Sequence, residues 1–182
     1  MPYNSNIHHR RSVRLKGYDY SQAGLYFITI CTHIRECLFG EIEMVGISHV
    51  MSLSDAGKIA NECWLEIPKH FPNTVLHEHI VMPNHVHGII ELVNEANIGV
   101  ENFQPLHERN EFQKMIPRSI GSIVKGFKIG VTKWFRTNTD VETVWQRNYY
   151  EHIIRNEQSY QTISEYIINN PAKWNDDKFY MP

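Results

Sequence analysis

Apolar and polar positions divide the chain into short β-rich runs and a few helical stripes. LYFITICTHI, from Leu25 to Ile34, is dense in β-branched and aromatic residues and predicts a strand. CLFGEIEMV follows a short polar connection and predicts its hairpin partner. Ser54 and Asp55 then precede AGKIANECWLEI, where Ile59, Cys63, Trp64 and Ile67 recur at helical spacing until Pro68 and Pro72. TVLHEHIVM and HVHGIIELV are two further β-rich runs, joined at Pro83-Asn84, a pair that belongs in a turn because proline cannot donate to a sheet ladder. They predict a second hairpin.

Residues 94–114 show no period and predict a mobile loop insertion within one domain spanning 1–182. In MIPRSIGSIVKGFKIGVTKWFRT, by contrast, Ile116, Ile120, Ile123, Val124, Phe127, Val131, Trp134 and Phe135 form one stripe of a helix. Lys114, Arg118, Lys125 and Arg136 fall on its opposite side. Gly121, Gly126 and Gly130 each cost such a helix about 1 kcal/mol relative to alanine, unless they admit a close neighbour. VETVWQRNYYEHII reads as a connection and a short strand, and NEQSYQTISEYIINN as a helix stopped by Pro171. Antiparallel strands with helices packed on one face predict an α+β fold.

Composition narrows this picture only slightly. The 182 residues suffice for one core, and the three cysteines lack any Cys-x-x-Cys spacing, which predicts reduced thiols. No signal-like or membrane-spanning run is visible, so a cytoplasmic protein is expected. The net charge of −2 hides clustering. Residues 1–18 carry Arg10, Arg11, Arg14 and Lys16 with no acid; residues 112–139 carry Lys114, Arg118, Lys125, Lys128, Lys133 and Arg136, again with none. Such segments serve either as solvated surface or as phosphate contacts.

Candidate chemistry lies in HEHIVMPNHVHG. With 11 histidines in the chain, one His-x-His pair carries little weight by itself. On a strand, however, His85 and His87 point to one face and offer two imidazoles to a metal ion. By the same alternation His77 and His79 should point together, toward the other face of the hairpin. A site needs a further ligand and a reacting group, and the last helix supplies both: Tyr166 and Asn170 are neighbours at i and i+4. Each has a plainer reading, Tyr166 as a packing aromatic and Asn170 as a helix end before proline.

VMPNHVHGII followed far downstream by YIINNPAKW, with the flanks RRSVRLKGYDYSQAGLYFITICT and VWQRNYYEHIIRNE, resembles the HUH single-tyrosine transposases, most closely the REP-associated tyrosine transposases. The resemblance implies a ferredoxin-like antiparallel sheet and metal-dependent cleavage and rejoining of single-stranded, hairpin-bearing DNA. Tyr166 would attack a phosphate, giving a 5′-phosphotyrosine intermediate and a free 3′-hydroxyl. His85, His87 and the Asn170 oxygen would hold Mg²⁺ or Mn²⁺, helping to offset the roughly 3 pKa units, or about 4 kcal/mol, that separate a phenol from its nucleophilic form at pH 7. Arg10, Arg11, Arg14, Lys114, Arg118, Lys125, Lys128 and Arg136 would hold DNA phosphates, bringing the protein to the nucleoid when bound. The family's insertion-sequence branch often has glutamine where Asn170 stands; asparagine points to the REP-associated branch. A homodimer and a monomer both stay open, as do a domesticated hairpin-binding protein without transposition activity and a metal-binding protein unrelated to DNA.

Overall fold

The computed structural model describes residues 18–94 and 116–180. In chain order these form β1 (Gly24–Cys31), β2 (Gly40–Val45), β3 (Ser48–Leu53), α1 (Asp55–Leu65), the one-turn α2 (Ile67–His70), β4 (Thr74–Met82), β5 (His85–Leu92), α3 (Ile120–Asn138), β6 (Tyr150–Ile154) and α4 (Glu157–Ile168), then a 3-10 segment, Pro171–Asp176. Apart from Asn94, the predicted loop insertion lies outside the described residues.

Four strands pair in the order β4-β5-β1-β6, antiparallel throughout. With α1 and α3 as crossovers, β1-α1-β4-β5-α3-β6 is a ferredoxin-like unit, and β2-β3 is a separate hairpin inserted ahead of α1. The expected pairing of β1 with its sequence neighbour therefore does not form. Both hydrogen-bonding edges of β1 are taken, by β5 and by β6. Ile34 and Arg35, at φ 46° and 62°, turn the chain away after β1. β2 pairs instead with β3 around Gly46, whose φ of 65° suits glycine in a tight turn.

Strand alternation then sends side chains to two different layers. Tyr26, Ile28 and Ile30 of β1, with Val86, Ile90 and Leu92 of β5, join Ala60 and Trp64 of α1 and Ile123, Phe127 and Val131 of α3 in the main core. Gly88 is required here: a Cβ at this position would stand 2.2 Å from Trp64 Cζ2. Gly126 and Gly130 of α3 also admit close neighbours, since a Cβ there would lie 3.1 Å from Phe71 Cε2 or Cys63 Sγ. α1 and α3 thus share one face, but α4 covers the other, packing Ile167 on Phe27, Ile89 and Ile154, so the helices do not all lie on the single face the pattern predicts.

Local signals set the helix starts. Ser54, Ser119 and Asn156 each accept a hydrogen bond from a backbone N–H in the first turn of the helix they precede, worth about 1 kcal/mol apiece. Because Ser119 is the cap and Arg118 sits at φ 60°, α3 begins at Ile120. Ile116 and Arg118 are consequently outside the helix on which the stripe put them, and Ile116 is exposed.

Candidate active site

The Pro83-Asn84 turn starts β5 at His85, with Met82 paired opposite it. His85 and His87 share the α4 side of the sheet, both fully buried, their ring centroids 4.4 Å apart. Each ring is held through Nδ1: His85 at 2.8 Å from Asn84 Oδ1, His87 at 2.9 Å from Thr29 Oγ1 on the neighbouring strand. The Nε2 atoms are left for other partners.

α4 carries Tyr166 over this pair. Its hydroxyl lies 3.1 Å from His87 Nε2 and 3.3 Å from Asp177 Oδ2. Asn170, buried one turn later, donates through Nδ2 to the same Asp177 oxygen at 3.1 Å. The structure therefore gathers Tyr166, His85, His87 and Asn170, the four residues the sequence nominates, and adds Asp177. Asp177 carries no periodicity that could have revealed it; the 3-10 segment folds the chain back and brings it in. Phe179 follows, its ring 4.6 Å from that of His85, and Arg35 Nη1 donates to Lys178 O at 2.7 Å to hold this last segment down.

Two polar atoms here are buried without a hydrogen-bond partner, His85 Nε2 and Asn170 Oδ1. One ligand atom each from His85, His87 and Asp177 falls within 4.8 Å of the others. Nitrogen and oxygen donors so placed, with His85 Nε2 and the nearby Asn170 Oδ1 otherwise unspent, fit a divalent cation. The electrostatics agree. Burial lowers His85 to about 4, assisted by Lys178 and Arg35 against the opposing pull of Asp177. His87 falls well below its ordinary value through burial, His85 and Lys178. Both rings are neutral near pH 7, the form a metal needs. Tyr166 is pushed up to about 12, by burial first and then by the Asp177 charge and hydrogen bond.

His77 and His79 do not point together. A β-bulge between Leu76 and His79 breaks the alternation. His79 faces α1, stacked on Trp64 and bonded to Asn61 Oδ1 at 3.0 Å, while His77 faces α4, between Tyr160 and Glu91. The bulge also turns Glu78 toward α4, where Oε2 accepts from Tyr160 Oη at 3.0 Å and Ser164 Oγ at 3.1 Å. These bonds seat the tyrosine helix on its own chain's sheet, so the cluster is complete within one chain.

Of the predicted phosphate contacts, Lys125, Lys128 and Arg136 line one groove of about 910 Å³ in the α3 layer, with Lys133 and Arg147. Arg118 is not among its lining residues, and Arg10, Arg11, Arg14 and Lys114 lie outside the described residues. Three tyrosines, Tyr18, Tyr20 and Tyr149, add aromatic wall. Lys128 donates to Gln146 O and Asn148 O at 2.8 and 3.1 Å, and burial lowers it to about 8. Tyr20 also borders a smaller hollow along the outer strand β6, lined by Tyr150, His152, Arg155 and Ser159.

No family model matches the chain. An uncharacterized protein of Haemophilus influenzae is 49% identical over 98% of this chain and 97% of its own length, so the two belong to one family. A second Haemophilus influenzae protein, named "Putative REP-associated tyrosine transposase", is 22% identical over 85% of this chain and 74% of its own. Among solved structures, a REP-associated tyrosine transposase bound to a REP hairpin superposes with a TM-score of 0.57 and 19% identity, covering 88% of this chain and 73% of that one. The chain resembles the REP-associated tyrosine transposases in sequence and has their fold. The ferredoxin-like sheet expected from that transposase resemblance is the sheet observed. Among the described residues no helix is long and apolar enough to cross a membrane.

Proposed function

We propose that the protein is a transposase-type endonuclease that cuts and rejoins single-stranded DNA next to a hairpin, through a covalent link to Tyr166. The observation that carries this reading is the Tyr166 hydroxyl 3.1 Å from His87 Nε2, inside a buried cluster with two unspent ligand atoms. A phenol serving only as core packing has no reason to stand there.

His85, His87 and Asp177, with the Asn170 oxygen beside them, would hold Mg²⁺ or Mn²⁺. Bound there, the cation supplies Lewis-acid stabilisation of charge on a phosphate oxygen. The chain's own residues account for the rest. Tyr166 loses its proton to a neighbouring acceptor, of which Asp177 Oδ2 is within reach. Its oxygen bonds to phosphorus as the P–O3′ bond breaks, and the leaving 3′-oxygen takes up a proton. Attack by a 3′-hydroxyl on the phosphotyrosine reverses the step and rejoins DNA without ATP. With its phenol raised to about 12, Tyr166 is neutral in the resting site, protected from idle reaction.

The groove and the cluster sit in different layers, which fits a two-part substrate. The α3 groove supplies cations for the backbone of a folded stem and tyrosines for unpaired bases. A single strand leaving it would pass Tyr20 and the edge of β6, where Tyr150 and Lys178 stand beside each other, 5.9 Å from Nζ to ring centroid, before reaching Tyr166.

Covalent trapping tests the reading. The protein is incubated with labelled hairpin-bearing single-stranded oligonucleotides and Mn²⁺, denatured in SDS, and the adduct is mapped by mass spectrometry. A DNA adduct on Tyr166, absent with EDTA and in Tyr166→Phe and His85→Ala, is the expected result. Salt-sensitive hairpin binding with no adduct would assign the chain instead to domesticated binding proteins without transposition activity.

A further inference from the structure

Asn84 reads in the sequence as a turn residue, yet it is fully buried and every polar atom it has beyond its own N–H is engaged. Its carbonyl accepts from Thr32 N at 2.9 Å and Thr32 Oγ1 at 3.0 Å. Its Nδ2 donates to two backbone carbonyls, Arg35 O at 3.1 Å and Phe179 O at 2.8 Å. Both of those partners can only accept, so the amide cannot be turned over. Oδ1 must then face His85 Nδ1, at 2.8 Å, and Oδ1 has no proton to give. The proton of that bond belongs to His85.

We infer that Asn84 is a positioning residue: it locks neutral His85 in the Nδ1–H tautomer and thereby presents the bare Nε2 lone pair to the cation. Nε2 is the atom of His85 left buried and unpartnered, as a nitrogen reserved for a ligand should be. The two carbonyls that fix the Asn84 amide come from the turned loop after β1 and from the segment carrying Asp177, so one side chain registers the tautomer of one ligand against the position of another. Thr29 gives His87 no such instruction, because a hydroxyl can donate or accept. The tautomer of His87 is therefore not dictated by its Nδ1 partner.

This inference rests on the metal reading of the site, and the test separates the two. The His85 tautomer is read from two-bond proton–nitrogen correlation spectra of the metal-free protein near pH 7, and Mn²⁺ affinity is measured by titration on wild type, Asn84→Ala and Asn84→Asp. The wild type should show Nδ1–H. Asn84→Ala should lose the single tautomer and bind Mn²⁺ about ten- to a hundredfold more weakly, the usual effect of removing a ligand's hydrogen-bond partner. Asn84→Asp, which keeps an acceptor toward His85 but loses both carbonyl contacts, should keep the Nδ1–H tautomer. If Asn84→Ala fails to fold, the wild-type tautomer and the aspartate variant decide. An Nε2–H tautomer in a wild type that binds Mn²⁺ overturns this inference alone, as does unchanged Mn²⁺ affinity in folded Asn84→Ala. A wild type that binds no Mn²⁺ overturns the metal reading and this inference with it.

Discussion

On the α1/α3 side of the sheet, the inward residues of β1 and β5 are Tyr26, Ile28, Ile30, Val86, Ile90 and Leu92, with Gly88 making room for Trp64. On the α4 side the same two strands present Phe27 and Ile89, which pack on Ile167, and beside them Thr29, His85 and His87. Both sets are buried, but only the first is spent entirely on packing. Trp64 Nε1 in the first layer and His85 Nε2 in the second are both buried without a hydrogen-bond partner, and His85 Nε2 stands in a cluster of metal-ligating side chains. One face therefore holds the fold, and the other joins chemistry to its packing.

The largest effect should come from confusing the two. Gly88→Val drives a branched side chain into the Trp64 indole, and a loss of about 3 kcal/mol or more is expected, read as a collapse of the urea midpoint. Across the sheet, Asn170→Leu removes a buried carbonyl that lacks a partner together with the Nδ2 bond to Asp177. It should cost about 1–2 kcal/mol, less than Gly88→Val, while weakening Mn²⁺ binding. A Gly88→Val protein with the wild-type midpoint would break the contrast.

Acid should strike the chemical face next. The histidine pair is lowered in the folded state, so the unfolded chain takes up protons first as pH falls. Their contribution is complete above about pH 6.5 and is lost as pH drops from there, for His85 toward about 4. For His85 alone the span corresponds to on the order of 3 kcal/mol. His79, also lowered by burial, adds in the same direction from the other face. Urea midpoints at pH 7 and 4.5 measure the loss, His85→Gln should flatten it, and Mn²⁺ should raise the midpoint at pH 7 far more than at pH 4.5. A wild-type midpoint insensitive to pH would contradict the buried neutral histidines.

This division was half legible in the sequence. Alternation on β5 put His85 and His87 on one face, a periodic fact that survives folding; Tyr166 and Asn170 share Asp177 as a partner although α4 ends at Ile168 and Asn170 lies past the helix, in an αR conformation. His77 and His79 failed because a bulge inserts a residue, and no local propensity announces it. The β1–β2 hairpin failed because two other strands compete for β1, a long-range matter invisible to a window of ten residues. Asp177 and Asn84 were hidden for a similar reason: each matters through partners far away in the chain.

A moderate effect separates the layers again. Lys125→Ala and Arg136→Ala lie in the α3 groove, remote from the histidines. Each should weaken hairpin binding several-fold and reduce the slope of log affinity against log salt by about 1, leaving Mn²⁺ affinity unchanged. A variant that alters Mn²⁺ affinity as well would show that the two layers are not independent.

The smallest effect concerns how the chemical face is kept shut. Glu78 is turned toward α4 only because of the bulge, and it accepts from both Tyr160 and Ser164. Glu78→Ala removes two hydrogen bonds to a carboxylate at a partly solvated site, so global stability should fall by only about 1 kcal/mol. Local stability is another matter: α4 otherwise rests on Ile167 and a few apolar neighbours, and its opening needs far less energy than unfolding of the main core. Amide exchange should therefore quicken across α4 while β1 and β5 stay protected, and Tyr166 adduct formation should drop because the hydroxyl is less often at His87. If exchange instead quickened equally in both layers, the helix and the core would be one cooperative unit, and the separation of fold from chemistry would end at the sheet's own residues.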